Sequence, residues 1–415
     1  MDQKADDSGG VLPTPIRRRY LLVIHIPVYC DYTGVRWLDR LWAKDLFEHL
    51  VYIENLTLAC PCFHVPPPSD FVRIESHLVR FCDLPAPQNK LESIMLLPAT
   101  VQRLWRSIGN ADLVHSGLGG WFPLSLGNLT MLITKLRQRF LFIVVESAPW
   151  RLPPGSRPSR LRRVMAFLAE IMNRWCIDQV DLAVFTQAKY KESLLVRRPQ
   201  RGHVIHASWI DRAHIASDQQ VRAEWEAKLG EGLSATRFLF AGRLTASKGV
   251  AVLLQALEIL ERQGIAVRLD IIGEGELFEV CRGFGMVERR YVSVKTMKPI
   301  PYGLEFFRLI GKYHAIIVPS ITDEQPRIVY DAYGQGVPVL ASDTDGLRDC
   351  IKDGITGRLC RVNDPEALGS VMKWAAVNAE ALMRMGIESL KCARGMTHQE
   401  MHQKRWRLLA RALES

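Results

Sequence analysis

The stretch from Ile316 to Asp349, IIVPSITDEQPRIVYDAYGQGVPVLASDTDGLRD, constrains the fold more than any other. Ile316, Ile317 and Val318 form a β-branched run that Pro319 closes, which reads as a short buried strand of a parallel sheet. A loop therefore begins at Ser320. Pro326 suits the first turn of a helix, where its missing N–H would be unpaired anyway, and Ile328, Val329 and Ala332 supply an apolar stripe behind it. Asp331 rides that helix about one turn in. Gly334 and Gly336 weaken the helix, and Val337 to Leu340 read as the next strand. The unit is strand, loop, helix, strand, with acidic residues at its mouth. In such a βαβ unit a ligand sits beyond the carboxyl ends of the strands, where a helix N-terminus offers free N–H groups to an anion. A phosphate is the natural guest. A carboxylate deeper on the same helix can accept hydrogen bonds from a neighbouring sugar diol.

A chain of 415 residues exceeds one ordinary core, so two domains are expected. With 48% hydrophobic and 24% charged residues it reads as an ordinary globular protein. No apolar run reaches the ~18 residues of a spanning helix. The polar start MDQKADDSGG is unlike a signal peptide, which places the expected location in the cytoplasm. Nine cysteines are scattered along the chain, and the pair Cys60 and Cys62 lacks a second pair at zinc-finger spacing, so reduced structural thiols are expected.

The charge is unevenly shared. Residues 1–210 hold 26 Lys+Arg against 18 Asp+Glu, a net of +8, and residues 211–415 hold 28 against 26, a net of +2. The densest basic cluster, Arg151 to Arg163, precedes an amphipathic stretch from Val164 to Cys176. Such a pairing suits an anionic membrane surface or an acidic acceptor, and a solvated arginine-rich loop fits the same residues. Nucleic acid is disfavoured, because helix-turn-helix, zinc-finger and RNP signatures are absent and aromatic residues do not interleave the cluster.

Taken in order, residues 1–16 read as a disordered tail. Tyr20 to Val28 reads as a first strand, followed by a tight turn to Gly34 and a helix. Leu56 to Cys60 and Val72 to Arg80 read as further strands. Ala111 to His115 is a strand whose end carries His115. Phe140 to Val145 is a buried strand capped by Glu146 and Ser147, and Val204 to Ala207 closes the first domain. The second opens with the strand Phe238 to Ala241, a turn at Gly242, and the helix Val250 to Leu260 behind Lys248 and Gly249. Arg243 and Lys248 set two cations beside a helix start, a physical recipe for a diphosphate. The strand Leu269 to Ile272 runs into Gly273-Glu274-Gly275, which lacks the further glycine and the acidic residue of a nicotinamide fingerprint. Thr397 to Ser415 reads as a terminal helix.

Asp323, seven residues, then Asp331-Ala332, followed by GVPVLASD from Gly336 to Asp343, resembles the signature of family 4 of the glycosyltransferases. Gly242-Arg243-Leu244 and Lys248-Gly249 carry the resemblance further. The family usually has Glu at both acidic positions and Gly-Phe-Gly after the first, whereas this chain has Asp twice and Glu324-Gln325-Pro326. The resemblance implies an α/β protein of GT-B fold, two Rossmann-like domains facing a central cleft. It divides the chain into an acceptor-binding domain at 17–208, a donor-binding domain at 209–395, and a terminal helix at 396–415 that packs back on the first. It implies donor contacts at Gly34, Gly242, Arg243, Lys248, Gly273, Glu274, Glu324, Gln325, Pro326, Arg327 and Asp331. It assigns catalysis to His115, Arg243, Lys248 and Asp323, with Asp331 on the donor ribose.

The implied reaction moves a hexosyl group from a nucleotide-sugar to a glycan or lipid-linked acceptor with retention of configuration, in polysaccharide or glycolipid synthesis. Neither cofactor nor metal is expected, because Arg243 and Lys248 neutralise the leaving diphosphate. An inactive binding subunit and a nucleotide-sugar epimerase are the alternatives. The basic first half leaves open a peripheral attachment at the inner face of a membrane.

Overall fold

A computed structural model describes residues 14–75, 77–118, 125–152, 158–230, 235–322 and 326–414. The N-terminal part contains β1 (Tyr20–Val23), β2 (Val28–Cys30), β3 (Arg36–Leu38), α1 (Arg40–Leu50), β4 (Leu56–Phe63), β5 (Val72–Ile74) and β6 (Arg80–Leu84). It continues with α2 (Lys90–Met95), α3 (Leu97–Gly109), β7 (Leu113–Gly117), α4 (Leu126–Leu136), β8 (Phe140–Val145), α5 (Arg160–Asp178), β9 (Leu182–Phe185), α6 (Ala188–Leu194) and β10 (Gly202–Val204). These strands form one sheet in the order β10-β9-β8-β7-β1-β4-β2-β3-β5, with β6 also on β4. All pairs are parallel except β2 with β3 and β3 with β5. The central strands are aliphatic on both faces, YLLV in β1 and FLFIVV in β8, as a sheet covered by helices on each side requires.

The C-terminal part contains α7 (Asp218–Gly230), β11 (Thr236–Ala241), α8 (Val250–Arg262), β12 (Val267–Ile272), α9 (Phe278–Met286), β13 (Val292–Met297), α10 (Leu304–Gly311) and β14 (Ala315–Val318). There follow α11 (Ile328–Gly334), β15 (Val339–Ser342), α12 (Asp345–Arg348), β16 (Gly357–Cys360), α13 (Pro365–Val377), α14 (Ala379–Arg394) and α15 (His398–Glu414). Its sheet is parallel throughout, in the order β13-β12-β11-β14-β15-β16. The order reverses between β11 and β14, the place where open α/β sheets bind ligands.

Helix α15 leaves this domain and returns to the first. Met401 and Leu409 join the core of Tyr20, Leu46, Tyr52 and Leu58. Arg18 Nη2 donates to the Leu413 carbonyl at 2.9 Å, and Trp406 Nε1 to that of Thr14 at 3.1 Å. No described helix is long and apolar enough to cross a membrane, and none of the nine cysteines forms a disulfide with another described residue.

The structure revises four sequence expectations. Ile16 is buried, with its N–H donating to the Tyr52 carbonyl at 2.8 Å, so the chain joins the core before residue 17. The single strand Tyr20 to Val28 is two strands, interrupted around Pro27, which cannot donate to a ladder. Gly34, at φ +81°, closes a β2–β3 hairpin rather than a strand-to-helix turn. Asp31 Oδ1 fixes that hairpin by accepting from the Thr33 and Val35 N–H groups. Likewise Val72 to Arg80 divides into β5 and the start of β6.

Candidate functional site

The carboxyl ends of β11, β12 and β14 open into a cavity of about 610 Å³. Gly242 and Arg243 follow β11, Gly273 and Glu274 follow β12, and Ser320 follows β14; Lys248 precedes α8, and Pro326, Arg327 and Asp331 come from the start of α11. The loops are packed backbone to backbone. A Cβ on Gly249, itself at φ +73°, would lie 1.7 Å from the Pro319 carbonyl oxygen, and one on Gly273 would lie 1.9 Å from that of Gly242. Gly242 N–H donates to Ile272 at 3.0 Å, Leu244 N–H to Glu274 at 2.7 Å, and Ile321 N–H to Ser247 at 2.9 Å. Arg243 and Lys248 therefore project from a rigid frame. Helix α11 has only seven residues, so its dipole is small beside the charges of Arg243, Lys248 and Arg327, which line the same cavity.

Asp331 lines the same cavity, 2% exposed, with Oδ1 accepting from the Tyr302 hydroxyl at 2.7 Å. Burial pushes its pKa up to about 7, against the pull of the Tyr302 hydrogen bond and of the Arg327 and Lys44 charges. The Arg327 guanidinium lies 4.3 Å above the Trp209 ring. Lys44 of α1 donates to the Trp209 carbonyl and pairs with Asp211 at 2.8 Å, which ties the cavity to the first domain. Tyr302 escapes sequence reasoning because it lies in a proline-rich loop after β13, with no periodicity to place it.

A second cavity, of about 490 Å³, lies in the N-terminal domain and is lined by His25, Asp45, His49, His115, Glu146 and Arg405 among others. Trp209 lines both cavities. His115 is not at a strand end. It is the middle residue of β7, flanked in register by Leu22 and Phe142. Its Nδ1 meets the Tyr20 hydroxyl at 2.8 Å, and burial and the neighbouring His49 hold its pKa well below the usual imidazole value, so the ring is neutral. His25 follows β1 inside the stretch read as continuous strand, and Arg405 arrives on the returning α15; neither is signalled by local sequence.

Around Asp45 the groups satisfy one another. His402 Nε2 is 3.0 Å from Asp45 Oδ1 and its Nδ1 is 3.1 Å from the Tyr52 hydroxyl, while His49 Nδ1 meets the Asp45 carbonyl oxygen at 2.8 Å. Burial alone would raise the Asp45 pKa, and the facing His49 and His402 reverse that and hold it well below the carboxylate range. Burial holds the His402 pKa well below the usual imidazole value, so His402 acts on Asp45 through its hydrogen bond, and Arg405 Nη1 lies 3.9 Å from the same carboxylate oxygen.

Among the described residues two groups have the spacing of a cation site, Asp45 with His398 and His402, and Cys62 with His64 and Asp83; in each the ligand atoms lie within 4.8 Å of one another. An arginine already supplies positive charge at both, Arg405 in the first and Arg36, bonded to Asp83 at 2.7 Å, in the second.

Of the residues singled out from sequence, Gly242, Arg243, Lys248, Gly273, Glu274, Pro326, Arg327 and Asp331 line the first cavity and His115 the second. Gly34 lines neither. Asp323, Glu324 and Gln325 lie outside the described residues.

Comparison with known proteins adds four findings. Residues 235–376 match the family described as Glycosyl transferases group 1. A D-inositol 3-phosphate glycosyltransferase of Nocardia farcinica is 30% identical over 318 residues, 70% of this chain and 64% of the relative, so the match spans just under two thirds of that protein. Sucrose-phosphate synthase of Thermosynechococcus elongatus superposes with a TM-score of 0.68 at 14% identity, covering 96% of this chain and all of the other. Anabaena HepE in complex with UDP-glucose superposes with a TM-score of 0.64 at 13% identity, covering 96% and 100%. The fold is GT-B.

Proposed function

We propose that the chain is a glycosyltransferase that moves a hexose from a nucleotide-sugar in the first cavity to a glycan or lipid-linked acceptor in the second, with retention of configuration. The observation that carries this reading is a single cavity that sets two cations, Arg243 and Lys248, against a buried carboxylate, Asp331. The cations suit a diphosphate, and the carboxylate suits the ribose diol beside it. As the bond from the sugar's C1 to the diphosphate breaks, its electron pair goes to the leaving oxygen, and Arg243 and Lys248 face the growing charge. Retention follows when the acceptor hydroxyl attacks from the face the leaving group vacates and passes its proton to the departing diphosphate. Two protein cations in that place make a metal unnecessary, and the reaction should proceed in EDTA. The relative from Nocardia farcinica, named for inositol 3-phosphate, supports an anionic polyol as one acceptor class.

Incubation with a panel of nucleotide-sugars tests the reading. Release of free nucleotide, faster when an acceptor is present, is expected for at least one donor. Tight nucleotide binding without release from any donor defeats the enzymatic reading in favour of a binding subunit. An altered sugar formed without acceptor points to an epimerase instead.

A further inference from the structure

Helix α5 is apolar on two opposite faces. Its inner face buries Ala166, Ala169, Asn173, Cys176 and Ile177. Its outer face carries Leu161, Val164, Phe167, Leu168, Ile171 and Trp175, each between 50% and 72% exposed. At 3.6 residues per turn these six fall within an arc of about 120° opposite the buried one. Single exposed apolar side chains are ordinary, but a stripe of six on successive turns of one helix marks a surface that something covers. Exposed Arg160 and Arg163 lie along one edge of it, and Arg174, on the same edge, is paired with Glu170 at 2.9 Å. The helix's own acidic residues are already engaged, Glu170 by Arg151 and Arg174 and Asp178 by Arg197.

That pattern selects the occupant. A second copy of the chain would bring one arginine edge near another with no acidic group on the face left to pair them. An anionic bilayer supplies both needs, acyl chains for the stripe and phosphates for its edge. The excess charge of residues 1–210, +8 against +2 for the remainder, acts in the same direction. The helix also starts at the right place. It follows the segment whose Glu146, Ser147 and Pro149 line the second cavity, and Trp150 and Arg151 bind that segment to Glu170 of α5.

We propose that α5 lies in the interface of an anionic bilayer, with its outer stripe among the acyl chains, so that the second cavity opens beside the membrane and receives a lipid-linked acceptor. The choice of acceptor rests on the reading of the preceding subsection; the docking does not.

The test is co-sedimentation of the full chain with phosphatidylcholine vesicles, with and without phosphatidylglycerol. Binding to the anionic vesicles is expected, with a part that survives high salt because it is apolar. Phe167→Glu with Leu168→Glu should lower the partition coefficient at least about tenfold, and Arg160→Glu with Arg163→Glu about tenfold on anionic vesicles alone. Both double variants should keep the wild-type thermal transition and nucleotide affinity. In the wild type, brominated acyl chains should quench a tryptophan signal that Trp175→Phe removes, which reads insertion without a charged substitution. Wild-type protein left in the supernatant with both vesicles, or Phe167→Glu/Leu168→Glu binding as well as wild type, overturns the proposal. So does a dimer that the same variant splits while vesicles are ignored. Vesicle binding without turnover of any donor would leave the docking standing and remove the proposed activity.

Discussion

The two cavities share Trp209 and are built on opposite terms. In the C-terminal one, Arg243 and Lys248 sit on loops fixed by backbone contacts such as Gly249 against Pro319, and Asp331 is buried against Tyr302 with the Arg327 and Lys44 charges nearby. In and behind the wall of the N-terminal one, the polar groups face each other: Tyr20 with His115, Tyr52 with His402, His402 with Asp45, and Arg405 beside them. The first arrangement gathers charged groups around an open cavity. The second uses charge to fasten α15 to the sheet. Substitutions should therefore cost function in one cavity and stability in the other.

The largest effect is expected at Asp45. Asp45→Ala leaves Arg405 buried without its carboxylate, which typically costs 3–5 kcal/mol, on the order of several degrees in Tm or more. Nucleotide affinity of the folded protein should not change. A thermal transition as high as wild type would show that the network is ornamental to the fold.

Arg243→Ala or Lys248→Ala should do the reverse. Loss of a group aimed at developing charge costs ~3 kcal/mol, about a hundredfold in turnover, with the thermal transition nearly intact. Full activity of both variants with every donor would break the contrast between the cavities.

Asp331 sharpens it, because it is the group of the first cavity that also bears on stability. Its folded pKa of about 7 exceeds the ordinary 3.8. The native state therefore favours the protonated form, a stabilisation fully present below about pH 4 and lost as pH rises through 7, on the order of a few kcal/mol. Asp331→Asn should remove that pH dependence and match or exceed wild-type stability at alkaline pH. Nucleotide binding should move the other way. In the wild type it should strengthen from about pH 6 to about pH 8 as the carboxylate forms. In the variant it should be flat and about ten- to hundredfold weaker at alkaline pH, the 1.5–3 kcal/mol of hydrogen bonds to a charged group. A variant that binds nucleotide like wild type places the ribose elsewhere.

The smallest effect is expected at Tyr302. Tyr302→Phe removes one hydrogen bond to Asp331, about 1 kcal/mol, and should raise the Asp331 titration midpoint further. A midpoint that falls instead means that the hydroxyl does not stabilise the carboxylate.

The parallel α/β units were legible in the sequence because strands buried on both faces are runs of apolar residues and because glycines mark the loops between them, while the GT-B arrangement was implied by the family resemblance of Asp323, Asp331 and the run Gly336 to Asp343. Phe140 to Val145 is an instance, since its run coincides with β8. Legibility failed where one residue's chemistry overrides a run. Pro27 inside YLLVIHIPV breaks the ladder, and Asp31 and Gly34 then make a hairpin that hydrophobic periodicity does not announce. In the cavities, Gly242, Arg243, Lys248 and Asp331 were readable because one βα loop and one helix start place them. Tyr302 was not, since it reaches Asp331 from the loop between β13 and α10, which carries no periodicity. The Asp45 network has only a local trace in the sequence, four residues from Asp45 to His49 and four from His398 to His402, each pair on one helical face. Only the crossing of α15 over α1 shows that the two faces meet.

That crossing also sets the order in which the protein is completed during synthesis. The C-terminal sheet draws on one continuous stretch, and its strands can close as soon as Cys360 has left the ribosome. The N-terminal core waits for Met401 and Leu409, almost two hundred residues after its last strand has been made. At about 5–20 residues per second, the first-made domain spends on the order of ten seconds or more with an open seam between Tyr52 and the absent His402. The half that emerges first is thus the half that finishes last.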